Sequence, residues 1–184
     1  MLDGLFISLP KLETERLFLR KLEYADKRDI FEYANIPESS KYLPWDVHES
    51  EMDTLDFLNI TYDRYNNDKA ASWGIELKSS RKIIGTAGFA TLDKENFSGE
   101  IGYVISKDFW DKGYATEAGN AILKFGFEQM QLNRIEARCH IDNKGSARVL
   151  EKLGMSFAGI LRKEILMNEE FADIKIYSIL SDEY

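Results

Sequence analysis

Between Ala71 and Ser106 three strand-like runs, Ala71–Lys78, Lys82–Leu92 and Gly99–Ser106, follow one another with only Ser79-Ser80-Arg81 and Asp93-Lys94-Glu95-Asn96 as turns. Links this short close antiparallel hairpins, because a parallel return needs a crossover of roughly a dozen residues or more. From Tyr114 the pattern changes. A helical run to about Gln129 carries Ala118, Ala121, Ile122, Phe125 and Phe127 on a broad apolar face. An alternating strand, Arg134–Ile141, and a second helix, Lys144–Leu153, come next. Antiparallel strands followed by a strand–helix–strand unit predict an α/β (α+β) fold. Its mixed, mostly antiparallel sheet has about seven strands, with helices on both faces.

The flanking segments fit that plan. Thr14–Leu22 reads as a strand with Leu17 and Leu19 on one face, and Asp26–Ala34 as a short helix ended by Asn35-Ile36-Pro37. Ser50 and Asp53 are spaced as a capping box, with Asp in place of the usual Glu or Gln. They open a helix whose expected core stripe is Met52, Leu55, Leu58, Tyr62 and Tyr65. Gly154 suits a left-handed residue after the second late helix. Ser156–Met167 and Ala172–Leu180 form a closing hairpin around Asn168-Glu169-Glu170. All three prolines lie in the first 44 residues, and no linker, low-complexity stretch or repeat interrupts the rest. One domain over residues 1–184 is the economical expectation.

Charge limits the partners. With 24 Lys+Arg against 32 Asp+Glu the net charge is −8, which argues against nucleic acid or an anionic membrane and permits a cationic substrate. The acidity is uneven: residues 104–152 carry 8 basic and 7 acidic groups, whereas residues 35–76 carry 3 and 9. No apolar run approaches the roughly 20 residues of a membrane span, and Met1-Leu2-Asp3-Gly4-Leu5 lacks the basic lead of a secretory signal. Cys139 is the single cysteine and His48 and His140 the two histidines, so neither an internal disulfide nor a zinc set is expected. A cytoplasmic protein without metal follows. Cys139 and His140 are adjacent on a strand and point to opposite faces, which disfavours a Cys–His dyad and favours a buried structural cysteine.

Two strand-to-helix junctions are candidates for chemistry. At the first, Ile101–Ile105 leads through Ser106–Asp111 into Lys112-Gly113-Tyr114-Ala115-Thr116-Glu117-Ala118. The first N–H groups of a helix have no partner within it and attract anions. Gly113 and Ala115 keep bulk off the approach. The same spacing also suits an ordinary turn, and neither G-x-G-x-x-G nor G-x-x-x-x-G-K-[ST] is present. At the second junction Asn143 reads as a helix N-cap, with Ser146 three residues on. Lys144, Arg148 and Lys152 make a basic stripe suited either to solvent or to a phosphate.

Taken together, Trp110-Asp111-Lys112-Gly113-Tyr114-Ala115-Thr116-Glu117-Ala118, Asn143-x-x-Ser146 and Leu150-Glu151-Lys152-Leu153-Gly154-Met155-x-Phe157 resemble the acetyl-CoA-binding core of the GNAT N-acetyltransferases. The flanks resemble the RimJ/RimL-type branch, which acetylates N-terminal amino groups, notably of ribosomal proteins. They are Glu13-Thr14-Glu15-Arg16-Leu17-x-Leu19-Arg20, Lys41-Tyr42-Leu43-Pro44-Trp45, Trp73-Gly74-Ile75, Ile84-Gly85-x-x-Gly88-Phe89, Glu100-Ile101-Gly102-Tyr103, Asp173 and Tyr177-Ser178-Ile179-Leu180. The resemblance runs from residue 12 onward.

It implies that Trp110, Asp111, Lys112, Gly113, Tyr114, Ala115 and Thr116 wrap the pyrophosphate of acetyl-CoA, with Lys152 on the basic stripe nearby. Backbone groups of Val104 and Ile105 pair with the pantetheine arm where the strand of residues 99–106 splays from Arg134–Ile141. Asn143 hydrogen-bonds the pantetheine, and Ser146 lies near the sulfur. Tyr42, Trp45 and the helix from Glu51 line the acceptor side, while Trp73 is core. Glu100 is the candidate general base, with a solvated strand-end carboxylate as its alternative role. Many GNAT enzymes protonate the departing thiolate with a Tyr four residues after the Asn. Here that residue is Ala147, and Ser146 is the substitute, a hydrogen-bond donor more than an acid. The implied acceptor is a primary amine at a basic protein N-terminus such as a ribosomal protein's, attacking directly. A polyamine, aminoglycoside or amino acid, or a non-catalytic acyl-CoA-binding module, are the alternatives. Monomer and homodimer stay equally open.

Overall fold

The computed structural model describes residues 2–43, 45–167 and 169–184. Met1, Pro44 of the Tyr42–Trp45 segment and Asn168 of the last turn lie outside the described residues. Strands β1 (Leu12–Glu13), β2 (Leu17–Arg20), β3 (Ser72–Leu77), β4 (Ile83–Asp93), β5 (Ser98–Ile105), β6 (Arg134–His140), β7 (Ser156–Met167) and β8 (Glu170–Leu180) form one sheet in the order β1-β2-β3-β4-β5-β6-β8-β7. Every neighbouring pair is antiparallel except β5 and β6. The extra strand relative to the sequence reading is β1, a two-residue turn-back that no periodicity test resolves.

Helices α1 (Lys27–Ala34), α2 (Pro37–Ser40) and α3 (Glu51–Asn66) precede β3, α4 (Tyr114–Lys124) links β5 to β6, and α5 (Lys144–Lys152) links β6 to β7. Ile83 and Ile84 are adjacent on β4 yet belong to different apolar clusters, as alternation across a strand requires. Ile84 joins Leu17, Ile75, Phe89, Ala118, Ile122 and Leu150 under α4 and α5. Ile83 joins Leu22, Ile30, Tyr33, Ala34 and Leu58 under α1 and α3. The sheet therefore has helices on both faces. Among the described residues no helix is long and apolar enough to cross a membrane.

Two expectations need correction. The capping box at Ser50 and Asp53 is present, but α3 buries Thr54, Leu58, Thr61 and Tyr65 while Met52 is 62% exposed and Leu55 only half-buried. The threonines can enter because their hydroxyls are satisfied: Thr61 donates to the Phe57 carbonyl at 2.9 Å, and Thr54 pairs with His48 Nδ1 at 2.9 Å. The helix from Tyr114 is α-helical only to Lys124 and finishes in a π turn over Phe125–Gln129. Gly126 lies in that turn against Ile135, where a side chain would collide.

Candidate active site

The sheet opens where its one parallel pair ends. β5 and β6 are in register from Ser98 opposite Arg134 to Ile101 opposite Ala137. Beyond that, Gly102–Ile105 pair only with β4 and Arg138–His140 only with β8. Ser106 donates its N–H to the Ile84 carbonyl at 2.8 Å, which sets the alternation of the antiparallel ladder. Val104, opposite Thr86, therefore commits both backbone groups to β4, and Tyr103 and Ile105 turn theirs into the gap. The expectation for Val104 is corrected: its backbone is already paired, and its side chain packs against the cluster under α1 and α3. The Ile105 carbonyl accepts the Trp110 indole N–H at 2.7 Å, leaving the Ile105 N–H directed at the gap.

That indole bond ties the following loop to the end of β5. Asp111 and Gly113 are left-handed, at φ 57° and 80°, and Gly113 caps α4. The positive φ at Gly113 suits a residue without a side chain and leaves the helix N-terminus bare. Lys112 turns its amine back to the Asp108 carbonyl at 2.7 Å, and Tyr114 lies beneath the Arg16 guanidinium, 4.3 Å from its ring centre. A cleft of about 620 Å³ adjoins this turn, lined by Glu15, Arg16, Gly113, Thr116, Glu117, Asn120 and Lys152. Gly113, Thr116 and Lys152 thus meet at one place. Ala115 is half-buried in the first turn of α4.

Two carboxylates line this cleft, Glu117 and the exposed Glu15, and Glu117, in the first turn of α4, is neutralised. Its carboxylate accepts from the Thr14 hydroxyl at 2.6 Å, the Arg16 N–H at 2.8 Å and Arg16 Nε at 2.6 Å. Burial alone would raise its pKa, but the bonds from Thr14 and Arg16 outweigh that and hold the carboxyl below its usual range. Arg16 also donates to the Lys112 carbonyl at 2.9 Å. Thr14 and Arg16 were legible only as part of a resemblance. Their contact with a residue about a hundred positions away had no signal in spacing.

On the α5 side, Asn143 Oδ1 accepts the Ser146 N–H at 3.0 Å, so Asn143 is the N-cap, and its amide nitrogen has no partner among the described residues. Ser146 Oγ lies 2.8 Å from Tyr103 Oη. Burial pushes the Tyr103 phenol well above the usual tyrosine range, against the pull of the Ser146 hydrogen bond. Cys139 sits beside the same hydroxyl, its thiol pushed up by burial. The sequence reading missed Tyr103. The signal was there in the alternation of β5, which sets Tyr103 on the α5 face and Glu100 on the other.

On that other face Arg138 is shared by Glu100 at 3.3 Å, Glu136 at 3.5 Å and Glu164 at 3.6 Å. Burial raises the Glu100 pKa; Arg138 opposes the rise and Glu136, directly across the parallel pair, adds to it. Tyr42 packs on His140 with ring centres 5.0 Å apart, and Trp45 lies 5.5 Å from His48 against the second cluster. Cys139 and His140 face opposite sides, as the strand geometry requires.

Residues 16–156 match the family model described as an acetyltransferase (GNAT) domain. The chain is 34% identical to an uncharacterised N-acetyltransferase, p20, of Bacillus licheniformis, over 94% of this chain and 97% of that one. It is 25% identical to the ribosomal-protein-serine acetyltransferase of Escherichia coli over 55% of this chain and 56% of that one. A crystal structure of a GNAT-family acetyltransferase from Bacillus anthracis superposes with a TM-score of 0.84 at 34% identity, covering 94% of this chain and 99% of that one. A bare helix terminus beside a polar cleft that holds Lys152 and Thr116, near a split between two parallel strands, suits an extended phosphorylated thioester. The chain belongs to the GNAT family and is an acetyl-CoA-dependent N-acetyltransferase.

Proposed function

We propose that the acceptor is a cationic primary amine, best matched by the α-amino group of a basic protein N-terminus such as a ribosomal protein's, and that it attacks the thioester directly in the β5/β6 gap. The observation that carries this reading is the charge on the acceptor face. Three carboxylates, Glu100, Glu136 and Glu164, gather on Arg138, with Arg134 also reaching Glu136 at 3.3 Å, and the segment 35–76, which brings Tyr42 against His140, carries 3 basic and 9 acidic groups. Such a surface draws in an ammonium ion. An α-amino group has a pKa of about 8 against about 10.4 for a lysine amine, so it needs only modest help to become neutral. Glu100, partly desolvated, is suited to take that proton through a water molecule.

Bound acetyl-CoA supplies an activated acetyl group, with its phosphates against Gly113, Thr116 and Lys152. The Ile105 N–H is the backbone donor for the thioester carbonyl oxygen. Ser146 offers its hydroxyl to the sulfur as the C–S bond breaks, and Tyr42 and Trp45 border the amine's approach. The likeness to the Escherichia coli ribosomal-protein-serine acetyltransferase favours a protein N-terminus over a small amine.

The test is thiol release from acetyl-CoA with a panel of N-terminal peptides, polyamines and aminoglycosides. Basic N-terminal peptides are expected to give the highest kcat/KM, with KM rising as salt screens the acidic groups. Turnover confined to polyamines or aminoglycosides, or a KM indifferent to ionic strength, would contradict the proposal.

A further inference from the structure

Tyr103 holds Ser146, the residue proposed above to hydrogen-bond the sulfur. Its Oη is 2.8 Å from Ser146 Oγ and 3.2 Å from the Ser146 carbonyl oxygen. These two contacts define two arrangements of the hydroxyl protons. In one, Tyr103 donates to the Ser146 carbonyl and the Ser146 O–H donates to Tyr103. In the other, Tyr103 donates to Ser146 Oγ, and the Ser146 proton is released from it and points elsewhere. Only the second frees the Ser146 proton to turn from the neighbouring Cys139 thiol to a ligand, and there the phenol also polarises it.

We infer that Tyr103 is a positioning residue for acetyl transfer: by donating to Ser146 Oγ, it turns the Ser146 O–H toward the departing sulfur and strengthens it as a donor. This rests on the reading of Ser146 given above. The phenol itself gives up no proton. The C–S electron pair leaves with the sulfur, Ser146 hydrogen-bonds the resulting thiolate, and solvent protonates it on release. Burial that keeps Tyr103 protonated is consistent with a donor that is not consumed. Position 147, four residues after Asn143, is a buried Ala, so α5 offers no phenol of its own there. β5 supplies one from the opposite wall.

The experiment compares the wild type, Tyr103→Phe, Ser146→Ala and the double variant. Calorimetry measures CoA and desulfo-CoA binding across the thiol's titration, and steady-state kinetics measures acetyl transfer. For the wild type, CoA affinity relative to desulfo-CoA should rise with pH as the thiolate forms. In Tyr103→Phe that rise should fall by roughly tenfold, the worth of one charge-assisted hydrogen bond, with desulfo-CoA binding unchanged. The kcat should drop by a similar factor at constant KM for acetyl-CoA, with under about twofold added on the Ser146→Ala background. Wild-type behaviour in Tyr103→Phe, with Ser146→Ala impaired, would overturn the role of Tyr103 and leave that of Ser146. Wild-type behaviour in both would overturn both. Weakened desulfo-CoA binding in Tyr103→Phe would reduce the phenol to packing and overturn the proposal.

Discussion

At the scale of single residues, Glu100 and its neighbours make the sharpest claim about pH. Burial and Glu136 raise the Glu100 pKa while Arg138 holds it down. As a base Glu100 must be ionised, so kcat/KM should fall as pH drops through this raised value. Glu100→Gln should remove that acid limb and lower kcat/KM by about 10²-fold. Arg138→Met removes the influence that lowers the pKa and should move the limb to higher pH. A pH–rate profile of the three proteins checks the pair of effects, and an unmoved limb in Arg138→Met would detach Glu100 from it. Residue-level reading from sequence succeeded where one local rule decides: Asn143 as N-cap, Gly154 at φ 79°, and Trp73 fully buried with its indole on the Pro10 carbonyl. Val104 escaped it because its role depends on the pairing with β4, and Tyr103 because its partner, Ser146, lies on α5 across the gap.

At the scale of elements, the clamp between the start of the chain and α4 is the interaction with most consequence. Thr14 and Arg16, just before β2, fix Glu117 in the first turn of α4 and through it the orientation of the bare helix terminus. Glu117 there also complements the helix dipole. Arg16→Ala should cost about 1 kcal/mol, a modest figure because the guanidinium is partly exposed to solvent, and lower Tm by about 2–4 °C. The sign with pH follows from the depressed Glu117 pKa. Stabilisation is complete above the unfolded carboxyl's value of about 4.3 and is lost as pH falls through the lower folded value. Thermal melts of wild type and variant should therefore converge in acid. A gap that widened below pH 4 would rule out this account. The helical stripe of α3 was misread because Thr54 and Thr61 count as polar in a pattern yet bury well once hydrogen-bonded. The π turn after α4 places Gly126 against Ile135, a close approach that no periodicity encodes.

At the scale of the whole molecule, hairpin turns and the later strand–helix alternation suffice to read a mixed sheet with helices on both faces. The place where that sheet must split was legible only through resemblance, since nothing in the local sequence of Gly102–Ile105 or Arg138–His140 says that they part. The split organises the chemistry. The proposed phosphate-binding groups gather at the start of α4, Ser146 and Tyr103 stand on one face of the gap, and Glu100 with Arg138, Glu136 and Glu164 stands on the other. Cys139 is buried beside Ser146 with a raised thiol pKa, while His140 faces away against Tyr42, so no cysteine–histidine pair exists to carry the acetyl group. Under the proposed direct attack, the gap holds donor and amine at once. A matrix of initial rates, varying acetyl-CoA against a basic N-terminal peptide, tests this most directly. Double-reciprocal lines that intersect are the predicted result; parallel lines, the signature of an acetylated enzyme, would contradict it.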